Sequence, residues 1–434
     1  MRAPAILFCL CYSLSAAGVD SCVTCHSALE EGTKGPSILF KNDVHAAHGL
    51  SCADCHGGDR TAEDPDASMS RAKGFKGKPA RTAIPKLCAG CHSSPDFMRK
   101  YAPRQRVDQF ELYQTSIHGK RLAAGDTEVA TCIDCHSVHD IRPVKDSMAP
   151  VHPLHVAETC AHCHSDHQRM AKYGIPTNQY DEYRTSVHWE GLTKRSDLAA
   201  PTCASCHGNH GAKPPQVESV SEVCGTCHVL YAELYNKSVH KAIFSGQGGG
   251  GGCIVCHSNH GIKDPSTKML VGPTAVCSGC HDAGTGPAQT AVQMAGWIDG
   301  LDAALQRSEK VLARAEEYGM EVSEAQVRLI DGRENLVKSR LTMHAMQPEE
   351  MRKPIDAGMA IAKETLEAGQ AALREKDFRR LGLAVSVLLI AIAILAIRSL
   401  IRRLEANGGS KPAIISESAS NSSATIMPRA VRIP

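Results

Sequence analysis

TCIDCHSVHD, residues 131–140, sets Cys132 and Cys135 three apart, His136 directly after the second cysteine, and His139 three places further on. What two soft sulfur ligands and two imidazoles do in ten residues depends on whether the pattern stands alone. The chain holds 20 cysteines, and apart from Cys9 and Cys11 near the N-terminus every one falls in a Cys-x-x-Cys-His unit. The first five units are Cys22/Cys25/His26, Cys52/Cys55/His56, Cys88/Cys91/His92, Cys132/Cys135/His136 and Cys160/Cys163/His164. The last four are Cys203/Cys206/His207, Cys224/Cys227/His228, Cys253/Cys256/His257 and Cys277/Cys280/His281.

This spacing is the attachment signature of c-type haem. Two thiols three residues apart can each form a thioether to one vinyl group of a porphyrin, and the adjacent imidazole becomes the proximal ligand of its iron. Disulfides would not require a histidine after every second cysteine. Zinc sites need pairs of pairs, and an odd total of nine units leaves one over. A thioredoxin-like redox pair would occur once. The reading is nine covalently attached haems c.

Thirteen of the 22 histidines lie outside the motifs, twelve of them between His45 and His260. Three segments repeat: YQTSIH (113–118) before CIDCHSVH, YRTSVH (183–188) before CASCHGNH, and YNKSVH (235–240) before CIVCHSNH. A second unit begins 21 to 28 residues after the first in each repeat. One repeat therefore brings two haem units and two further histidines: His118 and His139, His188 and His210, His240 and His260. These are expected distal iron ligands, each free to serve a haem outside its own repeat, in a stacked modular architecture. His139, three residues from His136, points away from that iron and toward a neighbouring one. The front segment carries three units but only His45 and His48 in VHAAHG. Its third distal ligand is expected from His152 or His155 in VHPLH, with His162 and His167 in the same spare pool. His344, far downstream, could be a distal ligand supplied by the bundle, although its first reading is a surface or packing histidine.

The charge balance of 48 Lys+Arg against 46 Asp+Glu argues against a nucleic-acid partner. Only 4% of residues are aromatic, so few large side chains are available to build a core. Met1, Arg2 and the apolar run that follows read as an export signal over 1–18. The nonahaem domain is expected over 19–287, with short helices and loops punctuated by stretches such as GQGGGGG. From 288 to 380 cysteine vanishes and Ile298, Leu301, Leu305, Leu312 and Ala315 follow helical spacing. This predicts an antiparallel helical bundle in which Gly319 ends a first helix, Ser323 caps a second, and Pro348 with Pro354 break before a third. The uncharged run LGLAVSVLLIAIAILAI (381–397), continued to 401, is long enough for one transmembrane helix. With an exported front, residues 402–434 form a short cytoplasmic, disordered tail. The fold class is thus mainly α.

The nine CxxCH units, the Tyr-x-x-Ser-x-His segments and the CxxCHxxH extensions resemble the multihaem cytochrome c superfamily. That superfamily includes cytochrome c3-like carriers and octahaem and decahaem relatives. The resemblance, confined to residues from about 20 to 285, implies proximal motif histidines and distal ligands of the other two types. The expected function is electron transfer along mostly bis-histidine haems, on the periplasmic side of the cytoplasmic membrane. A quinol-oxidising membrane complex or another cytochrome would be the donor, and a periplasmic or outer-membrane protein the acceptor. No catalytic residue is assigned. The alternative is a multihaem oxidoreductase for nitrogen or sulfur oxyanions or hydroxylamine, built on one five-coordinate haem; no CxxCK variant is present.

Overall fold

The computed structural model describes residues 20–29, 35–214, 222–244 and 252–407. The expected export signal and most of the expected tail lie outside these residues. Of the described residues, 68% are helical and none lies in a strand. It divides into two compact units, one of residues 1–300 with 335–356, the other of 301–334 with 357–434.

In the first unit, four motifs are five-residue helices: Cys52–His56, Cys132–His136, Cys203–His207 and Cys253–His257. Residues three and four apart share a helix face, so the motif spacing lines two thiols and one imidazole along one side. So short a helix depends on its cap. The Ser51 amide donates to Asp54 at 2.6 Å, Thr131 to Asp134 at 2.7 Å, and Thr202 to Ser205 at 3.0 Å. Directly after the imidazole the chain swings away through positive φ with an extended ψ: 72° at Gly57, 70° at Ser137, 82° at Gly208 and 66° at Ser258.

The Tyr-x-x-Ser-x-His segments acquire a physical meaning residue by residue. The hydroxyls of Tyr113 and Tyr183 donate to the carbonyls of Ala130 and Pro201, both at 2.8 Å, two residues before the next cysteine unit. Buried Ser116 and Ser186 cap the following helices, accepting from Gly119 at 2.9 Å and Trp189 at 3.1 Å. His118 and His188 are thereby set in a first helical turn. Successive modules are joined by one recurring backbone bond: Val44 N–H to Ile141 at 2.7 Å, Ile117 to Ala212 at 3.0 Å, and Val187 to Ile262 at 2.8 Å. Each donor precedes His45, His118 or His188, and each acceptor lies two residues beyond His139, His210 or His260.

Hydrophobic burial is uneven. Among the described residues, ten buried hydrophobic residues fall between 20 and 285, whereas seventeen fall in the much shorter stretch 286–372. The cysteine-rich part has too little side-chain core for its length, as its aromatic poverty implied.

The second unit draws on three long helices, Gly286–Glu317, Ser323–Thr342 and Pro348–Asn407. Its core includes Leu305, Leu312, Leu329 and Ile361, with a buried Ser308–Thr365 hydroxyl pair at 2.7 Å. The first helix ends at Gly319 (φ 74°), where Met320 N–H reaches back to the Ala315 carbonyl at 3.1 Å. The third helix starts at Pro348 and continues through Pro354, where a break had been expected. Pro354 removes one donor only two turns from the helix start, and its i−4 neighbour Glu350 is exposed, which leaves the freed carbonyl to water. This helix is long and apolar enough to cross a membrane by length and composition, and its apolar stretch is wholly exposed.

Candidate functional site

Eight of the nine motif histidines face a second imidazole among the described residues. His92 faces His45, His56 faces His139, His164 faces His118, and His136 faces His210. His228 faces His188, His207 faces His260, His281 faces His240, and His257 faces His344. All eight centroid separations lie between 5.9 and 6.3 Å. An imidazole nitrogen binds a metal at about 2.0–2.1 Å and sits roughly 1.1 Å from its ring centre, so two imidazoles sharing one ion stand about 6 Å apart. The rings are too far apart for contact stacking and correctly spaced to bracket an iron.

Hydrogen bonding orients several of these rings. His56 Nδ1 donates to the Gly77 carbonyl at 2.9 Å and His207 Nδ1 to Lys213 at 3.3 Å. His45 Nδ1 is 2.8 Å from the buried carboxylate of Asp43, and His344 Nδ1 is 3.1 Å from the carbonyls of both Arg340 and Leu341. A carbonyl can only accept, so Nδ1 carries the proton and Nε2 keeps its lone pair. A ring held in this tautomer is ready to ligate a metal. Asp43 also accepts from Ile141 N–H at 2.8 Å. Burial opposes its charge, but the hydrogen bonds from His45 and Ile141 outweigh that and hold its carboxyl below the ordinary range. Burial, reinforced by neighbouring imidazoles, pushes His136 down to about 4 and lowers His92, His118, His164, His188, His240 and His257. These rings are held neutral, the form that binds metal.

Among the described residues no group of three or more His, Cys, Asp or Glu could cage a metal ion. An ion between two such imidazoles must therefore take its other ligands from a non-protein group, which a porphyrin supplies. Most of the thiols fit the same group. Cys25, Cys55, Cys206, Cys227, Cys256 and Cys280, each the second cysteine of its unit, are exposed. The first thiols of successive units meet in pairs, Cys88 with Cys132, Cys160 with Cys203, and Cys224 with Cys253.

Cys163, expected to anchor a haem together with Cys160, lies beside a cation. It is half-buried, and its Sγ accepts from the Arg169 guanidinium at 2.8 Å. Arg169 lies six residues on, in the helix His167–Ala171, where its fork of donors reaches back to the weakly accepting sulfur.

The other expected ligands are placed differently. His152 and His155 lie 6.3 Å from each other, and neither faces a motif histidine among the described ring contacts. His152 Nδ1 accepts from Leu154 N–H at 3.3 Å, capping its helix, and His155 Nε2 donates to the Ser147 carbonyl at 2.9 Å. Both rings spend a nitrogen on the local backbone. In the front segment, His45 faces His92 and His139 faces His56. His48 packs edge-on against Tyr101 at 6.1 Å, and His26 has no facing ring among the described contacts. His344, which carries no motif and whose first reading in the sequence is a packing histidine, instead faces His257.

The family model described as cytochrome c3 matches residues 197–282. The chain is similar to the multiheme cytochrome MtrA of Shewanella baltica, 27% identical over 186 residues, which are 40% of this chain and 53% of that protein. It is similar also to the C-type polyheme cytochromes OmcC and OmcB of Geobacter sulfurreducens. These are 24% identical over 218 and 209 residues, 44% of this chain and 26% and 25% of theirs. The chain thus spans about half the length of the first relative and about a quarter of the others. No solved structure matches it.

Proposed function

We propose that this chain, which is a multihaem c-type cytochrome, is a membrane-anchored carrier passing electrons along nine haems c that are mostly bis-histidine ligated. The observation that carries the proposal is the recurrence of imidazole pairs 5.9 to 6.3 Å apart, each containing one motif histidine. When bound, each haem supplies a one-electron iron centre, and His/His ligation favours low potential because it lacks the methionine that raises it. The residues of the chain do the rest. Motif cysteines would fix each group covalently, and motif histidines would ligate its iron. His45, His139, His118, His210, His188, His260 and His240 would supply the second imidazole beside His92, His56, His164, His136, His228, His207 and His281. Nδ1 donation to a carbonyl or carboxylate orients His45, His56 and His207. A centre held by two imidazoles would change oxidation state without binding substrate.

The exposed apolar stretch of Pro348–Asn407 supports a single membrane anchor, and covalent haem attachment agrees with an exported front. The donor would then be a quinol-oxidising membrane complex or another cytochrome, and the acceptor a periplasmic or outer-membrane redox protein. The test is electron paramagnetic resonance of the oxidised protein, with haem counted by pyridine haemochrome and by mass. Nine haems with low-spin signals are expected. A substantial high-spin haem that binds nitrite or hydroxylamine would turn the reading toward catalysis.

A further inference from the structure

The imidazole pairs obey a rule. In each repeat, the Tyr-x-x-Ser-x-His histidine faces the second motif of its own repeat: His118 with His164, His188 with His228, His240 with His281. The CxxCHxxH histidine faces the first motif of the module before it or, for the first repeat, a front-segment motif: His139 with His56, His210 with His136, His260 with His207. The third repeat has no successor, so the rule leaves its first motif, at His257, without a partner. His344 stands there, 6.1 Å away and within 14° of parallel. The three pairs formed by CxxCHxxH histidines are stacked in the same way, at 9° to 25°.

We propose that His344 is the distal iron ligand of the haem attached at Cys253 and Cys256, taking the place that a fourth repeat would have filled. This rests on the haem reading above. His344 is carried by the one-turn helix Met343–Ala345, between the second and third long helices, in a segment belonging to the same compact unit as His257. Both carbonyls that accept from Nδ1 come from the preceding turn, so Nε2 is left for metal. Tyr231 packs edge-on against the ring at 4.9 Å and fixes its plane. The turn closes with Met346 at φ 54°, in the left-handed region. Packing alone would need neither the free Nε2 nor the parallel facing ring.

The experiment uses the full, haem-loaded chain. His344→Ala should convert one haem per chain from low to high spin, and the reduced protein should bind one more equivalent of carbon monoxide than wild type, at unchanged haem count. Added imidazole should restore the low-spin signal. His344→Met should remain low-spin, with one haem of raised potential and a methionine-ligation band in the near infrared. Tyr231→Phe should keep the wild-type spin state. Haem-loaded His344→Ala with wild-type spin state and carbon monoxide uptake would overturn the proposal. Should the alanine variant not accumulate, a methionine variant with no methionine-ligation band would overturn it as well. A wild-type chain without haem would instead refute the functional reading on which this one rests.

Discussion

Four equivalent positions follow a motif imidazole, and they test how the chain leaves each site. Gly57, Ser137, Gly208 and Ser258 all have φ between 66° and 82° with ψ of −165°, 179°, 157° and −175°. This region is essentially reserved for glycine, and another residue held there costs about 1–3 kcal/mol. Ser137→Gly or Ser258→Gly should release that strain, offset by the roughly 0.5–1 kcal/mol of extra chain entropy that glycine loses on folding. The net gain is about 0–2.5 kcal/mol per site. At about 2–4 °C per kcal/mol for a unit of this size, the melting temperature should rise by up to about 10 °C and should not fall. The reverse changes should differ from each other. A Cβ at Gly208 comes no closer than 3.5 Å to the Gly211 carbonyl oxygen, an ordinary contact, so Gly208→Ser should cost the strain alone. A Cβ at Gly57 falls 2.0 Å from the Gly74 carbonyl oxygen, so Gly57→Ser must also displace backbone and should cost more than about 3 kcal/mol. Thermal denaturation of the haem-loaded protein in detergent, followed by circular dichroism and the Soret band, measures all four. Destabilisation by Ser137→Gly, or equal cost for the two glycine replacements, would refute the reasoning.

Cross-module ligation is tested by placing His210→Ala in two backgrounds. It should create no new high-spin haem where Cys132 and Cys135 have been replaced, and one where Cys203 and Cys206 have; the opposite pattern in electron paramagnetic resonance would show that His210 serves its own repeat. A chain produced without haem attachment should lose protease resistance between 20 and 285, where only ten of the described hydrophobic residues are buried, while 301–372 keeps its helical dichroism. Equal resistance in the two stretches would mean that side chains form the front core. Thr365→Val leaves the buried Ser308 hydroxyl without its 2.7 Å partner and should cost about 1–3 kcal/mol, whereas the Ser308→Ala, Thr365→Val double variant should recover much of it; strict additivity in thermal melts would exclude the coupling.

Short-range chemistry was legible in the sequence, and long-range pairing was legible only in part. Cys-x-x-Cys-His is itself a helical spacing, so the motif helices and the shared face of thiols and imidazole follow directly. Tyr113 and Ser116 also announce themselves, because a cap and a tether act within about twenty residues of His118. The ring opposite a given imidazole is a different matter, since His56 and His139 are brought together by folding and no local signal names the match. For His152 and His155 histidine density names no partner either: neither faces a motif imidazole among the described ring contacts, and ring nitrogens of theirs meet Leu154 and Ser147. Pro354 misled because a proline near a helix start with a solvated i−4 carbonyl costs less than one in a helix interior.

The recurring link from Val44 to Ile141, Ile117 to Ala212 and Val187 to Ile262 explains why ligands are exchanged between neighbours. Each bond brings the chain just after one module's CxxCHxxH histidine against the start of the previous module's ligand-bearing helix. That histidine therefore arrives beside the preceding module rather than within its own. An array built this way is stable only through nearest-neighbour contacts, and its last member needs a cap that is not another copy. The cap must supply one imidazole and need supply no thiols, because the final module already carries its own two attachment units. His344, in a cysteine-free segment that packs with residues 1–300, meets that requirement. The apparent solitude of this histidine in the sequence is thus what the repeat logic demands at its boundary.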